Sequence, residues 1–479
     1  MRCGVGMPSV WHEGRVLVAV AGLLPCLAVV PSVASADTLE WALVQAYQNN
    51  PQINSQRAAV RATDENIPQA LSGYRPRISL SGSAGEQYLD VFSKSSGSTG
   101  PATYSSAHGY SAVTGYGVTS TQTILNGFQT ANRTRQAESQ VSAARESLRL
   151  SEHTILLAAV TAYMNLIRDA AILELQRRNV EVLSEQLRQT RDRFNVGEVT
   201  RTDVAQAESR LAGGRAQVLS AESNYVTSRS TYRQVIGVEP GKLAPASPVD
   251  RLSPRTLQAA VVEARSQHPS VTVAMFNVDA AQLQVKIAEG SLYPTLTIQG
   301  NAQQSNGSAS NLGTLQSSIA SVTGQLTIPL YQGGAEYSLI RQAKELLGQR
   351  RIDLDTAREQ AQQTVVQSWG QLEAAKAQIQ ATQAQVAAAE IALNGVREEA
   401  RVGQRTTLDV LNAQQELVTA RVALVTAQHD RVVASYTLLA SVGGLSIPVL
   451  GLRVPTYDPM VHYQQIRDSW IGVRTPDGR

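Results

Sequence analysis

Cysteine is almost missing from this sequence, and the places where it does occur are informative. Cys3 and Cys26 are the only two, and both precede Ala34-Ser35-Ala36. That tripeptide reads as a processing site, because a basic start (Arg2, Arg15) and an apolar run from Val16 to Val30 lead up to it. Cleavage there leaves a chain that begins at Asp37 and carries no cysteine, which excludes disulfides and thiolate metal sites. Cys26 follows Pro25, a poor fit to lipid attachment, so no acylated terminus is expected. An excess of charge of one sign is also lacking. Lys and Arg number 42 against 39 Asp and Glu, a net charge of +3 over 479 residues, which gives nucleic acid no electrostatic hold. Beyond the leader, no apolar run approaches the roughly 18 residues of a spanning helix. The metalloprotease, P-loop, nucleophile-elbow and dinucleotide motifs are absent, and His153, His268 and His429 stand singly. No enzyme activity, cofactor or metal is expected. An exported chain of this kind is periplasmic, secreted, or an outer-membrane β-barrel.

What the sequence does contain, it contains twice. Thr38-Leu39, Asn50-Pro51 and Tyr74-Arg75-Pro76 return as Thr256-Leu257, His268-Pro269 and Leu292-Tyr293-Pro294, with Pro51 and Pro76 displaced by 218 residues. Further on, Gly127, Gly197, Asp203 and Gly237 return as Gly333, Gly403, Asp409 and Gly443, displaced by 206 residues. The difference falls between Pro76 and Gly127, where the hydrophobic period changes from helical to two. Ile78, Leu80, Gly82 and Ala84 alternate with serines; Tyr116 and Val118 alternate with Gly117 and Thr119. In the second copy Leu296, Ile298, Gly300 and Ala302 alternate with Thr, Gln and Asn, as do Ala320, Val322, Gly324, Leu326 and Ile328. These predict four strands of about ten residues, apolar on one face and neutral-polar on the other, the length and pattern of a transmembrane barrel strand. The segments Ser93 to Gly109 and Ser305 to Gly313, rich in Ser and Gly, predict solvated loops.

The remainder reads as helix. Leu166, Leu173, Val180, Leu187 and Phe194 are spaced by seven, as are Val204, Leu211, Val218, Tyr225 and Tyr232. The second copy repeats this with Leu372, Ile379, Val386, Leu393 and Ala400, then Leu411, Val418, Val425, Val432 and Leu439. Such rows predict left-handed supercoiled packing. Asn126 to Val196 spans roughly 105 Å as one helix at 1.5 Å per residue, and the returning segments are half as long, so two short helices stacked end to end would match one long one. Between them, Asn195-Val196-Gly197 and Arg401-Val402-Gly403 read as hairpin turns, with Thr200 or Thr202 and Thr406 or Thr407 as caps of the returning helices.

The expected organisation is a leader at 1–36, a first repeat at 37–237 with a strand pair at 77–124 and a turn at 197, and an equatorial linker at 238–255. A second repeat follows at 256–443, with a strand pair at 295–328 and a turn at 403, then a C-terminal equatorial and periplasmic tail at 444–479, expected to lie beside the middle of the columns. Four strands cannot close a barrel, and open edges are not tolerated in lipid. Three chains would supply twelve strands above twelve helical columns. The fold class is therefore mixed α and transmembrane β: a trimeric 12-stranded β-barrel continued by a long α-helical coiled-coil barrel. The competing reading is a coiled-coil structural rod or adhesin of the cell envelope, which does not account for the neutral-polar strand faces.

On the duplicated layout, Asn50-Pro51, Tyr331-Gln332-Gly333-Gly334 and the two valine-glycine turns, nearly the whole mature sequence resembles the TolC family of outer-membrane efflux and secretion channels. The resemblance implies a homotrimer in outer-membrane lipid, a periplasmic adaptor, and an inner-membrane pump of the RND or ABC type. It also implies a constriction at the periplasmic tip, onto which Arg405, Asp409 and Asn412 map after the second turn, with Thr202 and Asp203 as partners after the first. Arg405 would pair with Asp203, and a ring of Asp409 would favour cations. Asn412 stands where family members can carry a second aspartate, so a less negative constriction is expected. Asn195, Val196, Gly197, Arg401, Val402 and Gly403 match the adaptor-docking tips.

Overall fold

The computed structural model describes residues 37–95, 100–309, 313–476 and 478. The expected leader at 1–36 lies outside them.

The duplication is carried into three dimensions almost residue for residue. Helices α4 (Gln129–Asn195) and α5 (Arg201–Ile236) form one hairpin. Helices α8 (Ala335–Arg401) and α9 (Thr407–Val442) form the other, with every boundary displaced by 206 residues. The long arms have 67 residues each, about 100 Å at helical rise, and the returning arms have 36. Short helices complete each column: α1 (Leu39–Asn49), α2 (Pro51–Asp64) and α3 (Asn66–Leu71) in the first repeat, α6 (Leu257–Gln267) and α7 (Pro269–Glu289) in the second.

Proline sets the breaks within these short helices. Pro51 and Pro269 have no N–H to give a preceding turn, so each occupies the first position of a new helix. Asn50 caps α2 by accepting from the Gln52 N–H at 2.8 Å, and its Nδ2 donates to the Val235 carbonyl at 2.9 Å. That second bond joins the start of α2 to the end of α5, so the two short segments stack end to end beside α4, as the lengths require. At the matching place in the second repeat a Cβ on Gly443, the cap of α9, would lie 3.1 Å from the His268 Cα.

The heptad rows face inward for most of their length. Leu166, Leu173, Leu187, Leu211 and Tyr232 are buried in the first hairpin, and Leu372, Leu393, Leu411, Val418, Val432 and Leu439 in the second. Phe194 is the exception: it is exposed at the tip, where the hairpin turns and the neighbouring helix has run out. The largest core cluster lies at the columns' middle, where Tyr47, Leu156, Val160, Tyr163, Tyr232, Tyr436, Leu439 and Leu445 meet. The Tyr163 hydroxyl is 2.6 Å from the Ala244 carbonyl and 2.8 Å from that of Asp37, which ties the linker and the start of the described chain to α4. Burial pushes this phenol well above its ordinary value. Helix α4 also corrects one expectation. It holds an 18-residue window with a mean hydropathy of 1.5, long and apolar enough to cross a membrane, but half of that window is buried within the fold. The apolar run exists because α4 crosses the middle cluster, where neighbours cover several of its faces.

The sheet is antiparallel in the order β1 (Arg77–Ser95), β2 (Thr103–Asn126), β3 (Thr295–Ala309), β4 (Gly313–Thr327). The strands are 19, 24, 15 and 15 residues long, well beyond the expected ten. Residues 93–95, 103–109 and 305–309 of the stretches expected as loops continue the ladder instead, with Ser93 paired to Ser105 and Asn306 to Gln316, while residues 96–99 and 310–312 lie outside the described residues. Cross-strand contacts account for this: Tyr88 and Tyr110 meet edge-on at 5.3 Å, Phe92 stacks on Tyr104 at 5.7 Å, and the Ser93 and Ser105 hydroxyls are 2.7 Å apart.

Register puts Ile78, Leu80, Gly82 and Ala84 on the same face as Tyr116, Val118, Ile298, Ala302, Ala320 and Val322. This apolar face is the open one: Leu80 is 77% exposed and Val322 82%. On β2 the opposite face is sheltered, with Ser111 and Gly117 buried while Ala112, Tyr116 and Val118 are exposed. The sheet thus curls with its neutral-polar face inward. The order leaves β1 and β4 each with one edge unpaired among the described residues.

Candidate functional site

The tips of the two hairpins lie side by side at the end of the columns away from the sheet, and they are built alike. Helix α4 ends at Asn195, and Gly197, at φ +83°, turns the chain back. Helix α8 ends at Arg401, and Gly403 does the same at φ +82°. A Cβ at either glycine would meet nothing within 4 Å, so the requirement for glycine is purely one of backbone conformation. Val196 and Val402, at the apex of each turn, are exposed.

The returning helices start with capping boxes. Thr200 caps α5, accepting from the Asp203 N–H at 3.3 Å, while Asp203 Oδ2 accepts from the Thr200 N–H at 2.9 Å. Thr406 and Asp409 repeat this at 3.2 and 3.0 Å. Of the two threonines open at each turn, the structure thus selects Thr200 over Thr202 and Thr406 over Thr407. Hydrogen bonds from the Thr406 backbone and hydroxyl, with a smaller contribution from Arg405, hold the Asp409 carboxyl below the ordinary carboxylate value. Asp409 therefore carries its charge while serving as part of a cap.

Arg405 departs from expectation. Its Nε donates to Glu399 Oε2 at 2.8 Å, within its own hairpin, and Asp203 is engaged by Thr200 instead. Glu399 lies on the last turn of α8, closer along the chain than anything on the first repeat, so the local partner prevails. Arg405 and Asp203 do line one cleft of about 760 Å³ between the tips, together with Glu185, Arg193, Arg397 and Thr406. Glu185 on its wall is pulled down to about 2 by hydrogen bonds from Arg188 and Gln189. The cleft is thus lined by fixed charges of both signs.

The direct links between the hairpins lie one to two turns further in. Arg210 on α5 donates to Asn412 Oδ1 on α9 at 2.7 Å. Gln414, buried on α9, donates to Asn179 Oδ1 on α4 at 3.4 Å and accepts from Arg397 on α8 at 3.0 Å. Asn412 was expected only as a neutral ring position; it is one of two acceptors, with Asn179, in the hydrogen bonds that join the hairpins here. Arg210, Asn179, Gln414 and Arg397 were not expected. The available signal was a polar side chain beside an inward-facing heptad position: Asn179 next to Val180, and Gln414 next to the Leu411 row.

The sequence profile of the family described as outer membrane efflux protein matches residues 42–238 and 260–444. The outer membrane efflux protein BepC of Brucella suis is similar over nearly the full length, 42% identical over 472 residues, covering 98% of this chain and 99% of BepC. The outer membrane protein TolC of Vibrio cholerae is 26% identical, covering 88% of this chain and 94% of its own. The solved outer membrane channel CmeC of Campylobacter jejuni superposes with a TM-score of 0.71 at 15% identity, covering 95% of this chain and 98% of that one, a likeness of fold.

Proposed function

The chain belongs to the outer membrane efflux protein family, and from that premise we propose that it is the outer-membrane exit duct of a tripartite efflux pump or a type I secretion system. It acts as a passive channel that a periplasmic adaptor opens at its tip and an inner-membrane pump of the RND or ABC type supplies. The observation that carries this reading is the sheet. It exposes an apolar face, carries a neutral-polar face that is sheltered along β2, and leaves an edge open at each side. In lipid the open edges demand partners, and three copies supply a closed barrel of twelve strands. The three pairs of helical hairpins continue it as a tube with the glycine turns at its far end.

In this reading Gly197, Gly403, Asn195, Val196, Arg401 and Val402 form the surface on which the adaptor docks. Arg405, Asp409, Asn412, Thr202 and Asp203 lie around the constriction. Asp409 contributes charge to the pore mouth and order to the α9 cap together. Arg405 steadies the second hairpin through Glu399, and the bond from Arg210 to Asn412 holds one hairpin against the other. Opening requires the hairpins to part, so the links between them set the threshold. A neutral Asn412 leaves a less negative mouth, and weaker block by divalent cations follows. Deleting the gene and scoring drug susceptibility together with the secreted proteome tests the reading and identifies the cargo. Loss of drug resistance marks an efflux duct, and loss of exported proteins a secretion duct. A mutant unchanged in both would contradict the proposal.

A further inference from the structure

The C-terminal tail does not trail off from the columns; it is fastened along them toward the sheet. Helix α10 (Pro459–Ile466) buries Ile466 and His462, and the His462 Nδ1 lies 3.1 Å from the carboxylate of fully buried Asp64 on α2. Tyr463 packs on Ile67, Ala137 and Val141, with the Arg145 guanidinium 5.1 Å from its ring. The chain then reaches Arg75, whose Nη1 donates to the Ser469 carbonyl at 2.6 Å and whose guanidinium lies 4.6 Å from the Trp470 ring. Arg75 is two residues before the first residue of β1, so these contacts fix the tail at the junction of helix and strand. There the chain offers Trp470, Ile471 and Val473 to the outside, 68%, 95% and 99% exposed.

Three bulky apolar side chains held in the open by a fastened backbone call for an apolar phase. At this level the exposed apolar band of the strands begins, at Ile78 and Leu80. The junction also exposes Tyr74, Phe128, Tyr293 and Tyr331, the kind of residue that collects where hydrocarbon gives way to headgroups. Arginines flank the apolar trio on either side: Arg75 and Arg77 at the strand, Arg467 and Arg474 in the tail. Aromatic and aliphatic side chains beside guanidinium groups suit a phospholipid interface, rings at headgroup depth and cations at phosphate. The polar inner wall of the curled sheet offers no comparable surroundings.

We propose that residues 469–474 are an interfacial anchor, with Trp470, Ile471 and Val473 inserted among the phospholipids of the leaflet nearest the helical columns. The anchor stops the barrel from sliding along its axis when the hairpins at the far end are pulled apart. This rests on the outer-membrane barrel reading. The test uses the full chain reconstituted in vesicles of phosphatidylethanolamine and phosphatidylglycerol, with and without bromine near the top of the acyl chains. The Trp470 signal is the emission lost in Trp470→Phe, and a Leu80→Trp variant on that background reports the strand band. The expected result is a blue-shifted Trp470 signal that bromolipid quenches and acrylamide does not. Quenching at Leu80→Trp, with a Trp470 signal reached only by acrylamide, overturns the anchor and leaves the barrel standing. A Trp470 signal protected from both quenchers overturns it in favour of cover by a second copy of the chain. If bromolipid reaches neither position, the anchor and the barrel reading fall together.

Discussion

His153 shows how much one buried side chain can impose on a long helix. It sits in the interior of α4 with both ring nitrogens lacking a hydrogen-bond partner. Burial, with help from Arg149 one turn away and His268 at the α6–α7 break, lowers its pKa from 6.5 to about 4. The folded chain therefore keeps the ring neutral where the unfolded chain has already protonated it. Stability falls as pH drops below about 6.5 and continues to fall until about 4, by on the order of 3 kcal/mol. In His153→Gln that slope is removed. Melting temperatures at pH 7, 5.5 and 4.5 check this: the parent should fall more steeply than the variant, and parallel curves would contradict it. Asp409 responds in the same direction but lower on the pH scale. Its lowered pKa means that its stabilisation of the α9 cap is fully present above the ordinary carboxylate value of 3.8 and is lost only below it. Acid thus loosens the middle of the columns before it reaches the tips.

In the helical hairpins, the proposed docking surface lies where regular structure stops. Gly197 and Gly403 adopt a left-handed conformation with open space around them, so an aspartate there adds backbone strain and a charge on the proposed docking surface without disturbing the columns. Gly197→Asp or Gly403→Asp should abolish efflux while leaving trimers intact. Normal resistance in a strain carrying either would remove the turns from the docking surface. The proposed gate depends on contacts between hairpins, and the geometry separates two arginines. Arg405 bonds within its own hairpin, whereas Arg210 bonds across to Asn412. Single-channel recordings should show a larger rise in conductance for Arg210→Ala than for Arg405→Ala, and equal effects would deny the cross-link its role.

Sequence periodicity was enough to locate these hairpins. The glycines and caps act through local backbone chemistry and the heptad rows through helix packing at a fixed period, both of which spacing reports. The partner of Arg405 was not legible, because an exposed guanidinium chooses among several carboxylates by reach alone. Nor were the strand ends, since the ladder beyond Gln87 depends on aromatic contacts between strands, which low-complexity composition conceals. The first part of the tail lies beside the middle of the columns as expected, with Leu445, Ile447 and Leu452 against the central cluster; its further fastening at Arg75 and Ser469 joins residues 394 positions apart, which spacing does not report.

The assembled duct follows from an imbalance within each chain. The two repeats pack their helices against one another, but their sheet ends in two open edges with its apolar face exposed. The imbalance explains why one polypeptide devotes 67-residue helices to columns that a soluble protein would not need, and why the polar strand faces carry Ser, Thr, Gln and Asn. Such side chains wet a wall without binding what passes along it. It also accounts for the neutral balance of charge, since the duct has no need to attract a polyanion. The most direct check on this account is the mass of the detergent-extracted particle by light scattering, corrected for bound detergent. Three copies of the chain are expected, and a single copy would contradict it.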